Sequence, residues 1–155
     1  MTERPVYSLR RYVAGDVNLI TPRAAVAHEF AALDDALKAG ATPPGHAWTV
    51  QASGMPIGCG GVMECWTGRW LAWTWIGEVP FSGREFMRRA CMGGIQTAIK
   101  HGARRIESHV PLSMPLARRF NERLGFKVEG VARAYGPDGS DYWTLAIVVE
   151  DRHGR

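Results

Sequence analysis

Residues 102–135 read GARRIESHVPLSMPLARRFNERLGFKVEGVARAY. This stretch predicts a strand over Arg104–Val110, a helix over Ser113–Leu124 and a second strand over Phe126–Ala134. Leu116, Phe120 and Leu124 recur at helical spacing and give the helix one apolar face. Gly125 follows the last of them, where a helix commonly ends in a left-handed residue that glycine adopts without strain. A strand–helix–strand unit of this kind needs a sheet to lie on, and the preceding sequence supplies one.

Upstream, Gly83–His101 reads as a long helix. Ser82 stands as its N-cap with Glu85 three residues on, the capping-box spacing. Phe86, Ala90, Gly94 and Thr97 form one stripe, and Met87, Cys91, Ile95 and Ile99 form the next, wide enough to pack on a sheet. The Gly93–Gly94 pair costs about 1 kcal/mol per glycine relative to alanine, which a close approach of another backbone would explain. Before this helix come three runs that predict an antiparallel meander: His46–Ala52, Ile57–Trp66 and Arg69–Val79, with turns at Ser53–Pro56 and Thr67-Gly68. Trp48, Trp66, Trp70, Trp73 and Trp75 crowd this region. Leu71, Trp73 and Trp75 share one face by the alternation of a strand and predict a core layer under a helix. The sharper alternative is stacking of nucleobases on exposed tryptophans beside arginines, but apolar neighbours such as Ala72 and Ile76 point to burial on both faces, so a nucleic-acid partner is not expected.

At the front, Val6–Val13 predicts a first strand, and Asp16 caps a short helix. Pro22 then opens a helix over Arg23–Lys38 with Val26, Phe30, Leu33 and Leu37 on one face, closed by Gly40. At the back, Gly136–Gly139 is a turn, Tyr142–Val149 a seventh strand and Glu150–Arg155 a charged tail. The fold class expected is α/β (α+β): a mixed, mostly antiparallel seven-stranded sheet with helices on both faces, in a single domain over 1–155.

Composition narrows the function classes. The chain has 155 residues, 46% apolar and 22% charged, ordinary for a globular protein. It contains no run of eighteen apolar residues and no apolar core of a signal peptide, so no membrane partner and a cytoplasmic location are expected. Cys59, Cys65 and Cys91 are odd in number and match no zinc spacing; reduced, partly buried thiols and no metal are expected. Net charge is +4, with arginines gathered between Arg84 and Arg123, a field that attracts nucleic acid, an acidic partner or a phosphorylated ligand.

The element order, together with Leu9-Arg10-Arg11, Gly102–Glu107, Ala117–Phe126 and Val128–Val131, resembles the GNAT superfamily of acyl-CoA-dependent N-acyltransferases. The order matches over nearly the whole chain, the motifs over about a quarter of it. The resemblance implies strands four and five splaying apart, with acetyl-CoA or another acyl-CoA along the cleft. The pantetheine arm would lie on main chain near Gly77, Glu78 and Val79. The pyrophosphate would sit on the next helix start at Gly83, with Arg84, Arg88 and Arg89 gripping phosphates. Glu78 or His109, at the cleft ends of the two strands, would deprotonate an amine acceptor, a small molecule or a protein. Histidine suits that task by titrating near neutral pH.

Two departures stand beside the resemblance. The pyrophosphate loop falls at Ser82–Met87, where Glu85 and Met87 hold the two positions at which the family carries glycine. The family's thiolate-protonating tyrosine position, four before the glycine of Leu-Gly-Phe, is Asn121, which can donate a hydrogen bond but not a proton. Tyr135 and Tyr142 are the substitutes available. A second reading follows. The altered loop is similar to small GNAT-like proteins of tailed bacteriophages, some associated with the virion interior. On that reading the chain is a catalytically degenerate, binding or structural component, with virion proteins as partners. The two readings place it in a host cytoplasm or a virion, and leave a homo-oligomer open.

Overall fold

Seven strands form where the runs of alternating and β-branched residues lie. The computed structural model describes residues 3–150, apart from Asp34 and the side chain of Phe30. Its strands are β1 Tyr7–Arg11, β2 His46–Ala52, β3 Met55–Trp66, β4 Arg69–Ile76, β5 Arg105–Pro111, β6 Lys127–Ala132 and β7 Tyr142–Val148. They form a sheet in the order β1-β2-β3-β4-β5-β7-β6. β4 and β5 run parallel, while β1 with β2, β5 with β7 and β6 with β7 run antiparallel. This is the mixed, mostly antiparallel seven-stranded sheet that the sequence predicts. Among the described residues no helix is long and apolar enough to cross a membrane.

The chain gathers into two compact units. One takes the described residues up to Gly61 with Thr74–Cys91; the other takes Val62–Trp73 with the described residues from Met92 on. In the first, Val17, Ile20, Val26, Leu33, Val50, Cys59 and Met87 are buried. In the second, the core includes Val62, Trp70, Ile106, Val110, Leu124, Phe126, Leu145 and Ile147.

The second unit carries the helix that decides the fold. Helix α4, Pro115–Leu124, has proline in its first turn, where the missing N–H has no helical partner to lose. Gly125 ends it at φ 105°, in the left-handed region. The Phe126 amide donates to the Asn121 carbonyl and the Gly125 amide to Glu122, and both Leu124 and Phe126 are buried. Leu-Gly-Phe is therefore a Schellman stop. Leu116, expected on the buried face with Phe120 and Leu124, is exposed; burial on α4 deepens only towards its C-terminal end.

Other expectations need correction. The helix over Arg23–Lys38 is broken into a 3-10 turn Ala24–Val26, α1 Ala27–Ala31 and α2 Asp35–Lys38. Its apolar periodicity survives in the buried Val26 and Leu33, while the Phe30 side chain lies outside the described residues. The start is lost because Pro22 bridges to Gly77 and Arg23 is extended. Asp16 does not cap its 3-10 turn, Asp16–Leu19; its carboxylate instead accepts bonds from Arg10, Thr49 and the Val13 amide. The expected close approach at Gly93 is absent: a Cβ there would meet nothing within 4 Å. Leu71, Trp73 and Trp75 are half-buried rather than core; Trp70 is the tryptophan that is buried.

β4 ends at Ile76, not Val79, for a reason visible at Gly77. Its amide donates to the Ile57 carbonyl at 2.9 Å. A Cβ at Gly77 would sit 2.5 Å from the Thr21 carbonyl oxygen and 3.3 Å from that of Ile57. The approaching atoms are backbone, which cannot rotate away. Gly77→Ala is expected to lose about 1–3 kcal/mol, read from the urea midpoint of unfolding; an unchanged midpoint would show that the loop yields freely.

Candidate functional site

The start of α3, Arg84–Lys100, lies in the first unit and is prepared by a 3-10 turn, Phe81–Gly83, behind Pro80. The turn consumes backbone donors: the Gly83 amide binds the Pro80 carbonyl at 2.8 Å and the Arg84 amide binds that of Phe81. The expected capping box is not formed. The Ser82 hydroxyl hydrogen-bonds the Tyr7 hydroxyl at 2.8 Å. The Glu85 carboxylate accepts from Arg88 at 2.9 and 2.7 Å and from Arg89 at 3.2 Å. Arg88, then Arg89, hold that carboxyl at about 2, so Glu85 is ionised at neutral pH. Arg84 is exposed, with its guanidinium 5.1 Å from the centre of the Phe81 ring.

Tyr7 completes this end. Its ring lies 5.9 Å from that of Phe86 with an interplanar angle of 30°. A Cβ added to Gly83 would stand 2.6 to 3.0 Å from three atoms of the Tyr7 side chain. Glycine at 83 thus makes room for Tyr7, not for a ligand. In the preceding loop, the Gly77 amide is taken by Ile57, Val79 is half-buried and Glu78 is exposed. The residues here do not fit a diphosphate held on backbone amides. The glycine surface is covered, two amides are turned inward, and a carboxylate stands in the first turn, where a second anion is repelled.

The second unit brings together a different group. The β4–β5 ladder runs from Arg69↔Arg105 to Leu71↔Glu107 and stops. Ser108, His109, Val110 and Pro111 keep their pairs with β7. Side chains alternate along β5, so Ser108 and His109 point to opposite faces. Ser108 donates to Asn121 Oδ1 at 2.8 Å, and Asn121 Nδ2 donates to the Ala117 carbonyl at 2.9 Å. The Asn121 amide is therefore spent tying α4 to β5. On the other face the His109 ring stacks on Tyr135 at 4.5 Å and 12°, and Tyr135 tilts against Tyr142 at 5.0 Å. Burial pushes the His109 pKa down, Glu107 opposes this, and Arg69 adds to it. The ring is thus neutral over a wider range than a free imidazole.

Of the three arginines expected to grip phosphates, Arg88 and Arg89 are bound to Glu85. His109 lies on β5 and Asn121 is bonded to Ser108 of that strand, on the opposite face. Sequence reasoning missed Tyr7 as the cover of Gly83, because 75 residues separate it from Ser82. It also missed Glu107, buried between Arg69 and Arg105. A surface groove lined by Trp66, Gly68, Arg69, Arg104, Arg105 and Glu107 carries the exposed tryptophan, with Arg69 4.1 Å above its ring. Its arginines Arg69 and Arg105 are already paired with Glu107 and Glu129, which weakens it as a nucleic-acid surface.

No protein-family model and no curated protein matches the sequence. Solved structures do. Ard1 from Thermoplasma volcanium aligns with a TM-score of 0.68 at 14% identity over 92% of this chain and 97% of that one. A GNAT family acetyltransferase from Elizabethkingia anophelis with acetyl-CoA bound aligns with a TM-score of 0.68 at 12% identity over 92% and 98%. The ribosomal-protein-S5-alanine acetyltransferase from Vibrio fischeri aligns with a TM-score of 0.64 at 16% identity over 97% and 96%. At these identities the likeness is one of fold: the chain has the GNAT fold.

Proposed function

We propose that this protein is a GNAT-fold N-acyltransferase that moves an acetyl or other acyl group from acyl-CoA to an amine, on a small molecule or a protein. The observation that carries the reading is His109. It lies on β5 just past the end of the β4–β5 ladder, half-buried, with its pKa pushed down and its plane set by Tyr135. A neutral imidazole accepts a proton from an acceptor ammonium directly or through one water, and general-base help of this kind contributes about 10²–10⁴-fold. Stacking on Tyr135 holds the ring in one plane, so the accepting nitrogen keeps a fixed direction. Glu78, exposed after β4, is the alternative base. Asn121 holds α4 to β5 and donates no proton. Acyl-CoA would supply the activated thioester carbonyl. Its diphosphate has no backbone cradle here, so the chain's own contribution lies at the acceptor.

The test is acyl transfer to a panel of amines by the wild type and His109→Gln. The variant is expected to lose about 10²-fold in rate. The wild-type rate should fall on acidification only below the ordinary imidazole range near 6.5, because the folded-state pKa is lowered. An unchanged rate in His109→Gln would remove His109 from the reaction.

A second reading is favoured by one specific observation, the Tyr7 ring over Gly83 beside an ionised Glu85. On it the chain is a GNAT-fold protein without catalysis that works by binding, with virion proteins of a bacteriophage as its partners. Absence of acetyl-CoA binding at high micromolar concentration would favour this reading over the first.

A further inference from the structure

We infer that this chain has sealed the start of α3 with its own side chains. Any thioester it uses is then recognised as an acyl-pantetheine, without a grip on the nucleotide diphosphate. The inference rests on the acyltransferase reading for its donor, and on the geometry of one short stretch for its exclusion.

A diphosphate on a helix start needs exposed N–H groups, close access to a residue without Cβ, and no competing anion. The last two conditions fail at named residues, and the first is reduced. The Gly83 and Arg84 amides donate into the 3-10 turn, to Pro80 and Phe81. The space over Gly83 holds the Tyr7 ring, fixed at one end by the Ser82 hydroxyl and on its face by Phe86. The anion position is filled by Glu85, whose carboxylate complements the positive end of the helix and binds Arg88 and Arg89. Those two arginines would otherwise be the phosphate ligands. The seal is therefore double: a ring excludes the phosphate sterically, and a carboxylate has already taken its charge partners.

The test uses the full chain and two probes, acetyl-CoA and acetyl-pantetheine, titrated by calorimetry into the wild type and into a Tyr7→Ser, Glu85→Gln double variant. A thermal melt checks that the variant is folded, and the single Glu85→Gln variant, on an exposed helix position, serves if it is not. The wild type is expected to bind the two probes within about threefold of each other. The variant is expected to bind acetyl-CoA at least about tenfold more tightly than the wild type, the worth of one regained charge-assisted bond, with acetyl-pantetheine unchanged. A wild type that prefers acetyl-CoA by tenfold or more overturns the inference, as does a folded variant that gains nothing. If the wild type binds neither probe, the acyltransferase reading fails, and the variant alone decides on the seal. Acquired acetyl-CoA binding supports it; continued silence overturns it.

Discussion

Asp16→Ala is expected to cost about 3–5 kcal/mol of folding free energy, the usual loss when one partner of a buried ion pair is removed. The carboxylate is 3% exposed and accepts four hydrogen bonds. Arg10 supplies two of them, at 2.7 and 2.9 Å, in a bidentate pair that ties β1 to the loop following it. Thr49 on β2, itself fully buried, supplies a third at 2.6 Å, and the Val13 amide a fourth at 2.8 Å. Alanine would leave the Thr49 hydroxyl and a partly buried guanidinium without their acceptor. Burial by itself pushes the Asp16 carboxyl up, but Arg10, Thr49 and Val13 outweigh it and the net shift is down. A lowered folded-state value means that the stabilisation is present above the unfolded carboxyl pKa near 4 and is lost as pH falls below it. Urea unfolding of the wild type, Asp16→Ala and Asp16→Asn at pH 7 checks the prediction. A loss under 1 kcal/mol in Asp16→Ala would show that this knot is not a determinant of stability.

Glu107→Ala is the second large effect, about 3 kcal/mol, at the low end of the same range because both arginine partners reach water. Glu107 is 8% exposed. It accepts from Arg69 at 3.0 and 2.5 Å and from Arg105 at 2.8 Å. Arg105 continues to Glu129 on β6, passing over β7 where Ala146 opposes both Glu107 and Lys127. Arg69, ahead of Arg105, holds the Glu107 carboxyl at about 2 against an ordinary 4.5. The sign is that of Asp16: the contribution is complete above about 4.5 and is lost as pH falls towards 2. In Glu107→Gln the unfolding free energy should vary less between pH 4.5 and 2 than in the wild type. An identical pH profile would count against the network.

What could be read from the sequence is what local chemistry determines. Gly125 after Leu124 is legible as a helix stop because each part of the motif lies within six residues. The strands were legible because alternation with β-branched and aromatic residues has one structural solution on a half-buried sheet. Most of the failures trace to a partner far away in the chain; Glu85, whose partners Arg88 and Arg89 lie one turn on, is the exception. Ser82 and Glu85 have the right spacing for a capping box, yet Tyr7 and two arginines outcompete the helix backbone for them. Asp16 has the residue type of a cap, and nothing in its neighbourhood shows that Thr49 is waiting. Pro22 has the residue type of a helix start, but Gly77, three strands later in the chain, claims its backbone. Leu116 had the right phase, but periodicity cannot say how far along a helix the covering sheet extends. At the candidate site, Glu85 and Met87 were visible departures; that Tyr7 fills the remaining space was not.

β1 is one of the two edge strands of the sheet, with Tyr7 opposite Ala52 of β2. Terminal strands of this kind fray at a fraction of the global unfolding free energy. The cover of Gly83 therefore rests on one of the elements expected to open most readily. Amide hydrogen exchange across Tyr7–Arg11 would report how often the start of α3 is bare. A ligand that needs that surface would capture those openings and slow the exchange.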